Sequence, residues 1–366
     1  MLHRMNRELK TISYSISSRP SPLEQLREIT GALLLSDNHR ELNHAAFKFH
    51  SLLSGISGMN NDTVDSSNSL STALPFGEAL SPINAARCVS DAPRTSKFFR
   101  GIYAALLEAQ QRFTNEAIEI LYAGCGPFAT LVMPLATQFK ADQIQITLLD
   151  IHARSLESAQ HIIERLRLSD YIREYIQSDA VSYVHPRPLH MVITETMQQA
   201  LSKEPQVAIT LNLAPQLCRG GIFIPERVTI DAYLCDPHKE YVVGSRNGPP
   251  RMARRVRGNR IKLGRVFELT AEKAIEVTST SGNRSCDAEA NLPAGAMDLP
   301  KEIAERLKLM LATTITVFDR IVIGEYESGL THPLWFYDFR GANGGDRIEF
   351  KYSFENSPGF KWQVAS

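Results

Sequence analysis

The sequence predicts an α/β domain on a doubly wound parallel sheet, an antiparallel β domain after it, and a helical extension before it. Three observations carry this. From Ile118 to Glu195 short apolar runs alternate with helical stretches, the strand–helix–strand rhythm of a parallel sheet. Beyond Pro225 short alternating segments and turns take over, the pattern of an antiparallel barrel or sandwich. From Pro22 to Ile56 apolar residues recur at helical spacing.

Taken in order, residues 1–20 read as a weakly structured leader without the apolar core of a signal peptide. Leu23, Leu26, Ile29 and Leu33, then Leu42, Ala45, Phe49 and Leu53, broken at Asp37–His39, form a helical hairpin. The small polar residues of 57–73 have the composition of a linker. A helical stretch covers 83–112. Strands are predicted at IEILYAG, QITLLD, YIQSD and HMVITE, with helices from Pro127 and over 153–167 between them. An amphipathic helix, a Gly220-Gly221 turn and a strand ending at Pro225 follow. The alternating segments are RVTIDAYL, KAIEVTST, TTITVFDRIVIGEYE, HPLWFYDF, DRIEFKYSFE and FKWQVA, interrupted by a predicted helix PKEIAERLKLMLA at 300–312. The expected domains are 1–73, 74–224 and 225–366.

Composition narrows the function. Lys+Arg and Asp+Glu balance at 40 each, so no global charge points to nucleic acid or to an anionic membrane. No apolar run approaches the roughly 20 residues a spanning helix needs. The 5 cysteines are scattered and odd in number, which argues against a disulfide framework and for the reducing cytoplasm. Between Arg246 and Arg265 a run of arginines reads as a solvated loop or as a docking site for an acidic partner.

The segment LYAGCGPFATL leaves a strand as a nucleotide-cradling loop does. Gly124 and Gly126 flank Cys125 and permit tight turning, and Pro127 suits a first helical position. An ordinary strand-to-helix turn uses the same residues. Asp150, at the end of the next strand, adds a carboxylate placed to accept bonds from both hydroxyls of a ribose. Asp179 and Ala180, after the third strand, lie where an adenine would rest. The loop is GxG followed by Pro127-Phe128, without the third glycine of a dinucleotide fingerprint.

Within the stretch from Val192 to Thr229, Glu195 and Glu204 stand nine positions apart on the polar segment leaving a strand's carboxyl end. Their spacing, with GGIFIPERVT after them, resembles the double-glutamate loop of the protein arginine methyltransferases. The glycine loop, Asp150 and Asp179 are similar to those of class I S-adenosylmethionine-dependent methyltransferases, with Tyr122 where that family has an acidic residue. SDAPRTSKFF resembles the arginine methyltransferases' Asp-x-x-Arg-Thr segment, and GLTHPLWFYDF their Thr-His-Trp loop, with Pro333 in place of the tryptophan. The resemblance covers about residues 83–366 and is strongest over 90–229.

It implies a Rossmann-type domain followed by a β-barrel, with S-adenosyl-L-methionine as cofactor. Arg94 would grip the cofactor's carboxylate and Asp91 would orient it. Glu195 and Glu204 would fix a guanidinium, and His332 would take a proton or orient a carboxylate. The acceptor implied is a small guanidino compound or an arginine-containing protein or peptide, and a homodimer is a further expectation. Two alternatives stay open: a natural-product N- or O-methyltransferase with another acceptor, and an inactive scaffold.

Overall fold

The computed structural model describes residues 20–59, 71–114, 116–240, 260–281, 291–339, 342–354 and 357–365. Helix α1 (Pro22–Leu35) opens on a capping box, in which Ser21 and Glu24 each bond the other's backbone N–H. Helix α2 (His39–Ser57) is capped by the Asn38 side chain. A hairpin of β1 (Thr72–Leu74) and β2 (Gly77–Ala79) follows, then α3 (Pro82–Arg87) and α4 (Ala92–Arg112). The predicted hairpin of helices packs on α4. Phe49 is fully buried with its ring edge-on to Phe99 at 5.7 Å, and Ser96 donates to the Leu33 carbonyl at 2.8 Å.

Strands β3 (Ile118–Ala123), β4 (Ile144–Asp150), β5 (Ile172–Gln177), β6 (Leu189–Thr194) and β7 (Leu217–Ile224) form one parallel sheet in the order β5-β4-β3-β6-β7. Helix α5 (Ala153–Arg165) links β4 to β5, and α6 (Gln206–Leu213) links β6 to β7. Every residue of β3 and β6 is buried, the signature of central strands covered on both faces. The chain runs outward from β3 to β5, then returns to lay β6 on the other side of β3. The carboxyl ends of β3 and β6 therefore flank the switch-point crevice, where doubly wound sheets bind ligands.

The remaining chain supplies β8 (Arg227–Cys235), a short α7 (Pro237–Glu240), β9 (Ile261–Leu269), α8 (Ala271–Ser281), β10 (Asn291–Asp298), β11 (Lys308–Phe318), β12 (Ile321–Ile323), β13 (Leu334–Phe336), β14 (Arg347–Ser353) and β15 (Gly359–Val364). They form two antiparallel sheets. One is β12-β11-β8-β9 with β13 also on β11, and the other is β10-β14-β15. The sheets share a core in which Phe267 of β9 stacks on Tyr352 of β14 and meets Phe360 of β15. The expected Rossmann-type domain followed by an antiparallel, barrel-like domain is the fold observed.

Several predicted elements differ. The Gly220-Gly221 turn is not formed, because both glycines lie within β7, and the helix expected to be amphipathic, α6, is buried on nearly every side. The helix predicted at 300–312 is absent; its second half is β11, which pairs with β8 on one edge and with β12 and β13 on the other. Burial of Leu309, Met310 and Leu311 on a central strand outweighs their helix propensity. KAIEVTST, read as a strand, lies in α8. Thr270 accepts the Lys273 N–H at its start, and Thr278, Ser279 and Thr280 return their hydroxyls to carbonyls one turn back. From Pro127 the chain makes buried successive turns rather than a regular helix, with Ala129 in the left-handed region at φ 43. Of the arginine run, 241–259 lies outside the described residues. Arg260 pairs with Glu240 and Glu325, and Arg265 with Asp231 and Glu268, so these described members are spent internally.

If α2 belongs to the folding unit, Phe49→Ala leaves a cavity and costs about 3–5 kcal/mol. Urea denaturation should show the midpoint fall without a separate early transition. A wild-type midpoint would mean the helical hairpin is not part of the core.

Candidate active site

The crevice at the carboxyl ends of β3 and β6 opens into a cavity of about 390 Å³, within the range of small-molecule sites. Its floor is the turn after β3. Gly124 has φ 70, and a Cβ there would meet the Thr196 methyl at 2.5 Å, so a side chain is excluded by both conformation and space. The N–H of Gly126 donates to Asp150 Oδ2 at 2.9 Å, and the N–H of His152 to Asp150 Oδ1 at 2.9 Å. Asp150 thus fixes the glycine turn while lining the cavity. Asp179 and Ala180 line the same end, and Asp179 accepts the Val181 N–H at 3.0 Å. Cys125 is buried, and burial pushes its thiol well above the ordinary range, which makes it a packing residue rather than a nucleophile.

The other end is acidic. Glu195, directly after β6, has a side chain only 3% exposed and pairs with the Arg94 guanidinium. Its Oε1 is buried without a hydrogen-bond partner. Glu204 is buried on the same cavity, and burial raises its carboxyl to about 7, opposed by the Arg94 charge and a hydrogen bond with Gln198. The segment between the two glutamates has an irregular backbone. Ala200, Leu201 and Lys203 all have positive φ, at 51, 54 and 65, which non-glycine residues adopt at a cost.

That shape is held from outside. Gln206, fully buried at the start of α6, accepts the Thr196 N–H at 2.9 Å. From the antiparallel domain, Thr313 Oγ1 accepts the Ala200 N–H at 3.0 Å, and the Tyr352 hydroxyl donates to the Leu201 carbonyl at 2.7 Å. The Lys203 N–H donates to the Pro358 carbonyl at 2.8 Å. None of these supports belongs to a motif legible in the chain. The polar threonine within an apolar strand was the one available signal.

Arg94 stands on the first turn of α4. Asp91 caps that helix, accepting the Arg94 N–H at 3.2 Å, and its second oxygen accepts from Ser328 Oγ at 2.6 Å and the Gly329 N–H at 2.9 Å. It orients Arg94 through the helix it caps and brings Gly329 and Leu330 to the cavity wall, without lining the cavity itself. His332, two residues further, is exposed and lies outside the cavity lining, with its ring 6.0 Å from Tyr326. Trp335 stacks on Tyr337 and is likewise outside it. The structure thus gathers Arg94, Gly124, Cys125, Gly126, Asp150, Asp179, Ala180, Glu195 and Glu204 around one cavity and leaves Asp91 and His332 off it. A cavity residue missed in the sequence is Glu78 of β2. It follows Pro75, Phe76 and Gly77, a turn signal next to a segment read as linker.

Fold and site together define a switch-point crevice lined by a glycine turn at one end and by two glutamates at the other. No family model matches the chain, and no curated protein does. Among solved structures, the Trypanosoma brucei PRMT1 enzyme–prozyme heterotetrameric complex with AdoHcy is similar. The match has 14% identity and a TM-score of 0.46, and covers 73% of this chain and 86% of that one. At that identity and score the likeness fixes no residue's role here.

Asp91→Ala should cost about 0.5–2 kcal/mol through the lost cap. It should also raise hydrogen exchange at Gly329 and Leu330. Faster exchange confined to α4, with the 328–331 turn unchanged, would contradict the second half of that role.

Proposed function

We propose that the protein is an S-adenosylmethionine-dependent N-methyltransferase acting on a guanidino nitrogen. The observation that carries this reading is the pair of buried carboxylates on the switch-point cavity, Glu195 with an unpartnered oxygen and Glu204 nine residues on. Buried acids without full partners are costly, so a site that keeps two of them is built for a cation. A guanidinium already rests on Glu195, that of Arg94, which supports a geometry suited to a planar fork of donors.

The cavity also fits the cofactor. The glycine turn brings bare backbone to the cavity wall, Asp150 lies beside it as an acceptor for ribose hydroxyls, and Asp179 with Ala180 borders the base. Arg94 is the cationic partner for a carboxylate. Bound there, S-adenosylmethionine supplies an electrophilic methyl group. The protein's own residues do the rest. Glu195 and Glu204 orient the guanidinium by charge-assisted bonds and draw its positive charge toward the nitrogens they hold, leaving the remaining nitrogen richer in electrons. Leu330 and Met197 keep water from that nitrogen. The nitrogen must lose a proton, and a Glu204 oxygen, with its carboxyl near neutrality, is matched to take it. The exposed His332 is not placed for that role. The acceptor is a small guanidino compound or an arginine side chain.

Replacing Glu195 or Glu204 with Gln keeps shape and removes charge. Cofactor affinity by calorimetry should persist, while methylation of a guanidino acceptor falls by about two orders of magnitude or more. Normal turnover in both variants would remove the paired-carboxylate role. No cofactor binding by the wild type would instead leave an inactive scaffold.

The pH profile is a separate check. Glu204 must be ionised to hold a cation, so kcat/KM should climb as pH rises through about 7 and level off above it. That limb should vanish in Glu204→Gln. A flat profile from pH 6 to 8 in the wild type would show that Glu204 titrates elsewhere.

A further inference from the structure

The cavity holds a third carboxylate that the reaction above does not use. Glu78 lies on β2, in the hairpin whose Leu74, Glu78 and Ala79 line the cavity. One end of the hairpin touches the nucleotide side, where Thr72 Oγ1 and His152 Nε2 are 3.0 Å apart. The other end is fixed to the acceptor side, where the Glu78 N–H donates to the Lys203 carbonyl at 2.8 Å. The fit there is tight: a Cβ on Gly77 would meet that carbonyl oxygen at 2.5 Å and the Glu204 carbonyl carbon at 3.2 Å. Glu78 is thereby held beside Glu204, and its charge helps to raise the Glu204 carboxyl.

No hydrogen bond or ion pair engages the Glu78 side chain among the described residues, although it is only partly exposed. The cavity as a whole is lined by five carboxylates, Glu78, Asp150, Asp179, Glu195 and Glu204, against a single arginine, Arg94. One guanidinium satisfies Glu195 and Glu204 and leaves Glu78 without a counter-charge. The buried, unpartnered oxygen of Glu195 marks the same end as built for a ligand. Leu74 and Ala79 of the same hairpin line the cavity with Glu78.

We infer that the acceptor is a small dication, a guanidinium joined by a short aliphatic chain to an ammonium, and that Glu78 binds the ammonium. This rests on the guanidino-methyltransferase reading and narrows it to a substrate class. Glu78 is a specificity residue: it touches the acceptor's far end and takes no part in the proton transfer.

The test compares agmatine, which carries both cations, with butylguanidine, which has the guanidinium alone. An arginine-containing peptide serves as the polypeptide control. The wild type should prefer agmatine by at least about tenfold in kcat/KM, which is about 1.4 kcal/mol. Calorimetry should show tighter agmatine binding independently of turnover. In Glu78→Gln the preference should collapse, and in Glu78→Lys it should shift toward 4-guanidinobutanoate, whose far end is a carboxylate. Either substitution keeps the backbone N–H that holds the hairpin, and an unchanged melting temperature confirms it. Equal use of agmatine and butylguanidine by the wild type, or preference for the peptide, overturns the inference while the methyltransferase reading stands. So does an unchanged preference in Glu78→Gln accompanied by weaker cofactor binding, which would assign Glu78 to the cofactor. Failure to methylate any guanidine, with the cofactor bound, removes the parent reading and this one together.

Discussion

The site depends on one constraint: an irregular backbone between two acidic residues must be held in a shape it would not choose. Ala200, Leu201 and Lys203 pay for left-handed conformations without being glycine, at about 1 kcal/mol or more each. Their backbone polar groups find partners across the molecule in Thr313, Tyr352 and Pro358. The parallel sheet alone gives β6 an end. The antiparallel domain turns that end into a pair of converging carboxylates. This explains why the second domain matters to a site whose lining comes mostly from the first.

Electrostatics makes the same point from the side of charge. Burying acids in a shared cavity is unfavourable unless cations answer them. Arg94 answers Glu195, and Asp91 places Arg94 by capping its helix while tying down the 328–330 turn. Glu204 is answered only in part by the Arg94 charge and a hydrogen bond with Gln198; burial outweighs both and raises its affinity for protons. Incompletely answered negative charge is thus concentrated at Glu204 and the Glu195 Oε1, while backbone N–H groups meet part of the charge on Asp150.

Much of this was legible in the chain. The parallel strands, the glycine turn, Asp150 and the two glutamates announce themselves through periodicity and local spacing, because each is a local device. The errors have a common cause. At 300–312 helix-forming residues became β11 because a vacant edge of β8 needed a central strand, a requirement set many residues away. In α8 the β-branched run suggested a strand, whereas its capping threonine was the better guide. His332 was placed by its neighbours in sequence, and the turn that Asp91 secures ends just before it, leaving the ring in solvent. Gln206, Tyr352 and Glu78 had no local signal of role, since each acts on a segment remote in sequence.

The hairpin and the C-terminal strand pair meet on either side of Lys203, whose carbonyl serves Glu78 and whose N–H serves Pro358. One peptide neighbourhood therefore joins three stretches that are far apart along the chain. Contacts of such sequence separation form late in folding, after the entropy of closing long loops has been met. The acidic pocket is therefore complete only when all three stretches are in place, so chain far from the cavity lining governs its shape.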